Sequence, residues 1–301
     1  MAVAVAPRRR VTSERASALR PVDLLLAGYL VVVSVVAVVR APGLPNCWWL
    51  LAAHALFGLL LYLITRPGLG PLGRSIREIY PLLLLVPLYS ELDVLNGPGG
   101  TAVHDATVQG WELAIFGAQL STEWWRAMPS RFWSALLHAA YISYYLIIVT
   151  PAFYFAWHRN LAALRHFMLV LMSTFVVCYL VFIFFPVAGP YYVFPRPDSW
   201  FLDNLFARAV YDTLATGSSY GAAFPSSHVA AAVAATLSAG RGSRALGWTL
   251  AVPTVLLSVA VVYCQMHYGV DAITGLLTGT IVTAIVERLD RVLPGTHRVS
   301  P

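Results

Sequence analysis

Eight apolar runs follow one another along the chain, at about 22–39, 48–64, 79–95, 133–157, 167–185, 228–240, 246–264 and 268–286. Most approach the ~20 residues that a helix needs to cross a bilayer. Inside hydrocarbon each backbone amide must be satisfied within its own helix or in a closed barrel, so repeated runs of this length predict an all-α, polytopic membrane helix bundle. The 301 residues are 58% hydrophobic and only 11% charged, too little polar surface for a soluble globule. The sixth run is short, and Gly240 with the prolines that flank the run predicts a span that is tilted or extended into the sequence before it.

All 20 basic residues are arginine, a usage that points to a GC-rich bacterial genome and a bacterial plasma membrane. Their positions carry more information than the formal charge of +6. With the N-terminus inside, Arg8, Arg9, Arg10, Arg15, Arg20, Arg66, Arg74, Arg77, Arg159, Arg165, Arg241, Arg244, Arg288, Arg291 and Arg298 are cytoplasmic. Arg40, Arg126, Arg131, Arg196 and Arg208 fall outside. The positive-inside rule then predicts eight crossings with both termini cytoplasmic. The basic flank of the first run is like that of a signal peptide, but the apolar part is long and no clean small-x-small site precedes Arg40, so it reads as a retained anchor. The expected organisation is two N-terminal spans in residues 1–78, a six-span core in 79–289 and a cytoplasmic tail in 290–301. Cys47, Cys178 and Cys264 have no metal-ligand spacing and read as small apolar fillers, a Cys47–Cys264 disulfide being the alternative.

In this topology the polar residues converge on the outer rim. A long loop rich in Gly, Pro, aromatics and Asp delivers the chain to Pro225-Ser226-Ser227-His228, at the outer mouth of the sixth span. The N-terminus of that span carries free amides, two hydroxyls and the positive half of a helix dipole, a setting that suits phosphate; a serine cap beside an interfacial histidine is the simpler alternative. At the start of the last span, His267 and Asp271 stand four apart, so both can lie on one helix face. A carboxylate on one imidazole nitrogen fixes the tautomer and frees the other nitrogen as a nucleophile or base.

An Arg196-Pro197 loop, then Pro225-Ser226-Ser227-His228, then His267-Tyr268-Gly269-Val270-Asp271, each at the outer edge of successive spans, resembles the type 2 phosphatidic acid phosphatase superfamily. The resemblance covers about residues 79 to 289. It implies that His267 attacks phosphorus, Asp271 orients it and His228 protonates the leaving oxygen, with no metal or organic cofactor. It also implies that Arg196, Ser226, Ser227 and Tyr268 bind substrate, a membrane lipid; nothing points to nucleic acid. The serine at 227 in place of the commoner glycine, the His-Tyr-Gly-Val-Asp form and the segment Trp111–Met128 resemble most the inositol phosphorylceramide synthase branch.

Two cations of the broad family pattern are missing. Gly189 stands where a lysine is usual, and Val261 where an arginine is usual. A phosphate monoester approaches two negative charges and a diester carries one, so fewer cations suit a diester donor. The expectation is a headgroup phosphotransferase, plausibly moving phosphoinositol or a similar group between lipids. A lipid phosphatase acting on phosphatidate or a prenyl phosphate uses the same three residues, and a non-catalytic lipid-binding or transport protein needs none of them. Arg208 is the alternative to Arg196 as that cation, though nothing in its spacing requires it.

The other polar residues have simpler readings beside the chemical ones. Glu91, Asp93, His104, Asp105, Glu112 and Glu123 are placed either to grip a polyol headgroup or, more simply, as solvated helix ends. Trp111, Trp124, Trp125 and Trp133 read as an interfacial belt, His54 as structural, and Gly275 with Gly279 as a close-packing face. His138, Tyr141 and Tyr145 form a polar stripe facing the bundle interior, either a hydrogen-bond network or the lining of a headgroup pocket.

Overall fold

The computed structural model describes residues 19–66, 68–97 and 102–292. Arg8, Arg9, Arg10, Arg15 and Arg298, with most of both expected cytoplasmic tails, lie outside the described residues. Helices α1 (Pro21–Arg40), α2 (Cys47–Ile64) and α3 (Pro71–Asn96) come first. The short α4 (Asp105–Phe116) and α5 (Leu120–Ala127) lead to the long α6 (Arg131–Trp157) and α7 (Leu161–Phe184). The segment expected as a loop holds α8 (Pro190–Val193), α9 (Ser199–Leu202) and α10 (Leu205–Gly217), and α11 (Ser227–Gly242), α12 (Arg244–Tyr263) and α13 (Gly269–Val292) complete the bundle. Among the described residues the only β pairing is an isolated parallel bridge between Val187 and Ala222.

Among the described residues six helices are long and apolar enough to cross a membrane: α1, α2, α6, α7, α12 and α13. The other two expected spans are helical but are not among these six. α3 carries Arg74, Arg77, Glu78, Glu91 and Asp93 along with Pro81 and Pro87. α11 has 16 residues, about 24 Å at 1.5 Å per residue against a hydrocarbon core of about 30 Å. Its composition fits its place. α11 is ringed by α6, α7, α12 and α13, and seven of its residues between Val229 and Ala239 are alanine or valine buried in the bundle. Between helices in lipid the hydrophobic effect supplies little, so close packing of small side chains holds them together.

The two glycines of α13 are part of that packing. A Cβ at Gly275 would lie 2.6 Å from the Ser226 carbonyl oxygen, and one at Gly279 would collide with the Ala230 carbonyl. The expected glycine face is therefore the contact that sets α13 on the first turns of α11.

α1 and α2 are tied to the bundle by polar contacts. The Tyr29 hydroxyl donates to Glu91, whose other oxygen lies 2.9 Å from His54 Nε2, and His54 Nδ1 lies 2.8 Å from Ser34 Oγ. His54 is thus structural, and Glu91 belongs to this buried network instead of a solvated helix end. Arg40 donates to the Leu95 and Ile183 carbonyls at 3.0 and 2.7 Å, closing the C-terminal ends of α3 and α7. At the opposite end of the bundle, Arg20 and Arg165 both grip Glu78. Cys47, Cys178 and Cys264 are buried and free, so the disulfide alternative does not form.

Candidate active site

The fold gathers three segments that are far apart in sequence. Val187 N–H donates to the Gly221 carbonyl at 3.1 Å and Ala223 N–H to the Val187 carbonyl at 2.9 Å, which lays the chain after α7 against the chain before α11. Ser226 N–H donates to the Asp271 carbonyl at 3.0 Å, joining the start of α11 to α13. Ser226 is the N-cap of α11 and its Oγ accepts from Val229 N–H at 3.4 Å. Helix geometry leaves the amides of Ser227 and His228 without an intrahelical acceptor.

His228 sits on the first turn of α11 among aromatic rings. Its Nε2 lies 3.3 Å from the Tyr141 hydroxyl, and the Tyr144 ring packs at 4.5 Å between centroids. The expected stripe on α6 is therefore corrected. Tyr144 faces the histidine, while Tyr145 is 50% exposed on the outside, because residues three and four after Tyr141 diverge around the helix and α11 packs over the first of them. His138 is buried with its Nδ1 2.7 Å from the Ser134 carbonyl.

His267 lies in the turn between α12 and α13, its ring 5.7 Å from that of His228 between centroids. His267 Nδ1 is 3.0 Å from the Ala223 carbonyl. A carbonyl only accepts, so Nδ1 carries the proton and Nε2 of the neutral ring keeps its lone pair. Asp271 Oδ2 is 3.4 Å from the same Nδ1 and accepts Tyr268 N–H at 2.8 Å. The His267–Asp271 approach thus comes from a carboxylate folded back over the start of α13, the acidic half of a capping box, and not from a shared helix face. Buried polar atoms without a partner among the described residues include His228 Nδ1 and Asp271 Oδ1, both within this site.

Two carboxylates of α4 hold these segments in register. Asp105 accepts Ala188 N–H and Gly189 N–H at 2.8 Å each, and the Tyr268 hydroxyl at 3.0 Å. Glu112 accepts Gly269 N–H and Val270 N–H at 2.9 Å each, capping α13. Both acids are buried, so neither is a solvated helix end nor open to a headgroup. Their seven-residue spacing, two turns on one face, is the only hint the sequence offers. Tyr268, expected among the substrate-binding residues, is fully buried, with its hydroxyl engaged by Asp105 and by Gln109 at 2.9 Å. It braces the turn from behind. Asp93 accepts Tyr220 N–H at 2.9 Å, Glu123 accepts Gln119 N–H at 3.0 Å, and His104 stacks on Phe185.

Arg196 lies in the loop between α8 and α9, exposed, with its guanidinium 5.7 Å from the Tyr191 and Tyr211 ring centroids. Arg208 pairs with Asp203 on the surface. Trp125 is not in an interfacial belt: it is buried against Phe201, and its indole N–H donates to Gln265 Oε1 at 3.2 Å. Gly189 has φ +91, and Val261 is wholly buried in α12, so the backbone at one position and the packing at the other leave no room for the two cations of the family pattern. Among the described residues no group of three His, Cys, Asp or Glu side chains is placed to hold a metal ion.

Burial pushes the His267 imidazole down to about 4, against a smaller opposing pull from the Ala223 carbonyl. A group with a lowered value is neutral, and so nucleophilic, at every pH above it. The titration midpoint of the His267 ring is therefore expected near pH 4 instead of near the ~6.5 of a free imidazole, as read by NMR. A midpoint at the free value would show that His267 is solvated.

A family model described as the PAP2 superfamily matches residues 112–285, more than half of the chain. A PA-phosphatase related-family protein of Dictyostelium discoideum is 24% identical over a 247-residue alignment that covers 72% of this chain and 44% of that relative. The chain thus spans less than half of that relative's length. No solved structure matches.

Proposed function

The chain belongs to the PAP2 superfamily, and on that premise we propose that this polytopic membrane protein is a phospholipid headgroup phosphotransferase working through a phosphohistidine. The observation that carries the reading is the His267 tautomer: Nδ1–H is held on the Ala223 carbonyl, so the lone pair of Nε2 is free beside His228. Nε2 attacks phosphorus, the bond from phosphorus to the leaving oxygen breaks, and His228 gives that oxygen a proton. An acceptor hydroxyl then loses its proton to His228, bonds to phosphorus and releases Nε2. The first-turn amides of α11 with Ser226, Ser227 and Arg196 hold the phosphoryl oxygens.

The absence of cations at Gly189 and Val261 favours a singly charged diester donor, as in the inositol phosphorylceramide synthase branch. The site then opens to the extracytoplasmic side of a bacterial plasma membrane, with both termini inside. Purified protein in vesicles is expected to turn over phosphatidylinositol with transfer to a lipid hydroxyl, and a C-terminal tag reports its orientation. Rapid hydrolysis of phosphatidate with no diester turnover would sink this reading. It would support the second one, a lipid phosphatase, to which the name of the Dictyostelium relative, a PA-phosphatase related-family protein, points.

A further inference from the structure

Gln265 lies two residues before His267, in the turn between α12 and α13, and is 1% exposed. Both ends of its amide are bonded. Oε1 accepts the Trp125 indole N–H at 3.2 Å, and Nε2 donates to the Pro195 carbonyl at 2.7 Å. An indole nitrogen only donates and a carbonyl only accepts, so the amide has one permitted orientation here. Its backbone is held at φ +60, in the left-handed region. For a residue other than glycine that conformation is uphill and persists where the surroundings impose it.

Pro195 is the residue before Arg196, and Pro197 follows it. Two fixed proline φ angles make this a stiff segment, so a bond to the Pro195 carbonyl fixes where Arg196 begins. The guanidinium itself is loosely held. It is exposed over two tyrosine rings, and its contact with the Tyr191 hydroxyl is 3.4 Å long. The same Gln265 belongs to the turn in which Met266 N–H and His267 N–H both donate to the Val261 carbonyl. One side chain therefore ties the segment that carries the cation to the turn that carries His267.

We propose that Gln265 is a positioning residue that sets the place of Arg196 relative to His267. The inference rests on the roles of those two residues given above. With Gly189 and Val261 at the other cation positions of the family pattern, Arg196 carries the charge contact to the donor phosphate, and an error in its placement appears as weakened donor binding.

Two variants separate clamp from strain. Gln265→Glu keeps the shape and the acceptor for Trp125 but cannot donate to Pro195. Gln265→Asn accepts a left-handed backbone readily, yet is one methylene short of both partners. Each is expected to raise KM for phosphatidylinositol about tenfold with a smaller change in kcat. In an Arg196→Ala background the same change is expected to add nothing, because a residue acting through Arg196 has nothing left to position. Effects that multiply in the double variant, or an unchanged KM in Gln265→Asn, would overturn the proposal. So would equal losses of kcat and kcat/KM that track a fall in thermal stability. If Gln265→Glu does not fold, Gln265→Asn carries the comparison. His267→Ala keeps the two levels apart: an inactive His267→Ala with multiplying effects refutes only the positioning role, whereas an active one refutes the functional reading and this inference with it.

Discussion

Replacing His267 by alanine is expected to lower turnover of any lipid substrate by about a thousandfold or more while the protein remains folded. The chemistry requires a lone pair on a nitrogen that can carry the phosphoryl group, and the Ala223 hydrogen bond places that lone pair on Nε2. The flanking Gln265 and Tyr268 are engaged elsewhere, and a carboxylate such as Asp271, which accepts Tyr268 N–H, does not supply a nitrogen lone pair. The truncation also leaves the buried Ala223 carbonyl without its donor, a cost of about 1–3 kcal/mol that a folded bundle can absorb. A thermal melt in detergent separates this stability loss from the catalytic one. Radiolabelled donor should mark wild-type protein with an acid-labile phosphate and leave the variant unlabelled. Unchanged turnover in His267→Ala would remove the catalytic reading and leave a lipid-binding or transport protein on the same helices.

Much of this site was legible in the sequence, and the part that was not has one physical cause. His228, His267 and Asp271 were visible because titratable side chains beside apolar runs are costly and stand out. Gly275 and Gly279 were visible because small residues at helical spacing mark close approach. The partners that hold these groups were not. The acceptor for His267 is the backbone carbonyl of Ala223, which has no side-chain signature at all. Asp105 and Glu112 look in sequence like ordinary acids near helix ends; burial on four backbone amides appears only when α4 docks on two distant loops. Tyr144 and Tyr145 are equally good candidates by periodicity, and only the packing of α11 chooses between them. The same holds for span number. Six of the described helices are long and apolar enough to cross a membrane, whereas α11 is short and alanine-rich because it is surrounded by protein.

Restoring the family lysine is expected to damage this protein instead of converting it into a monoester phosphatase. Gly189 has φ +91 and ψ 167, a region open essentially to glycine alone and worth about 1–3 kcal/mol against any other residue. A Cβ there would also lie 2.7 Å from the Ala223 Cβ, where ordinary contact begins near 3.4 Å. Overpacking of this kind typically costs a further 1–3 kcal/mol. The clash falls on a functional residue, because Ala223 is the one whose carbonyl holds His267 Nδ1. Gly189→Lys should therefore lower the melting temperature and reduce turnover together, and Gly189→Ala, which adds no charge, should do nearly as much. A stable Gly189→Lys protein with a large gain in phosphatidate hydrolysis would show that the missing cation is a matter of charge alone. The expected result locates the cause in the backbone: the turn after α7 is bonded through Asp105 so closely to the chain before α11 that only a residue without a side chain fits. On that account the low cation count and the tight His267 geometry are two consequences of one packing arrangement.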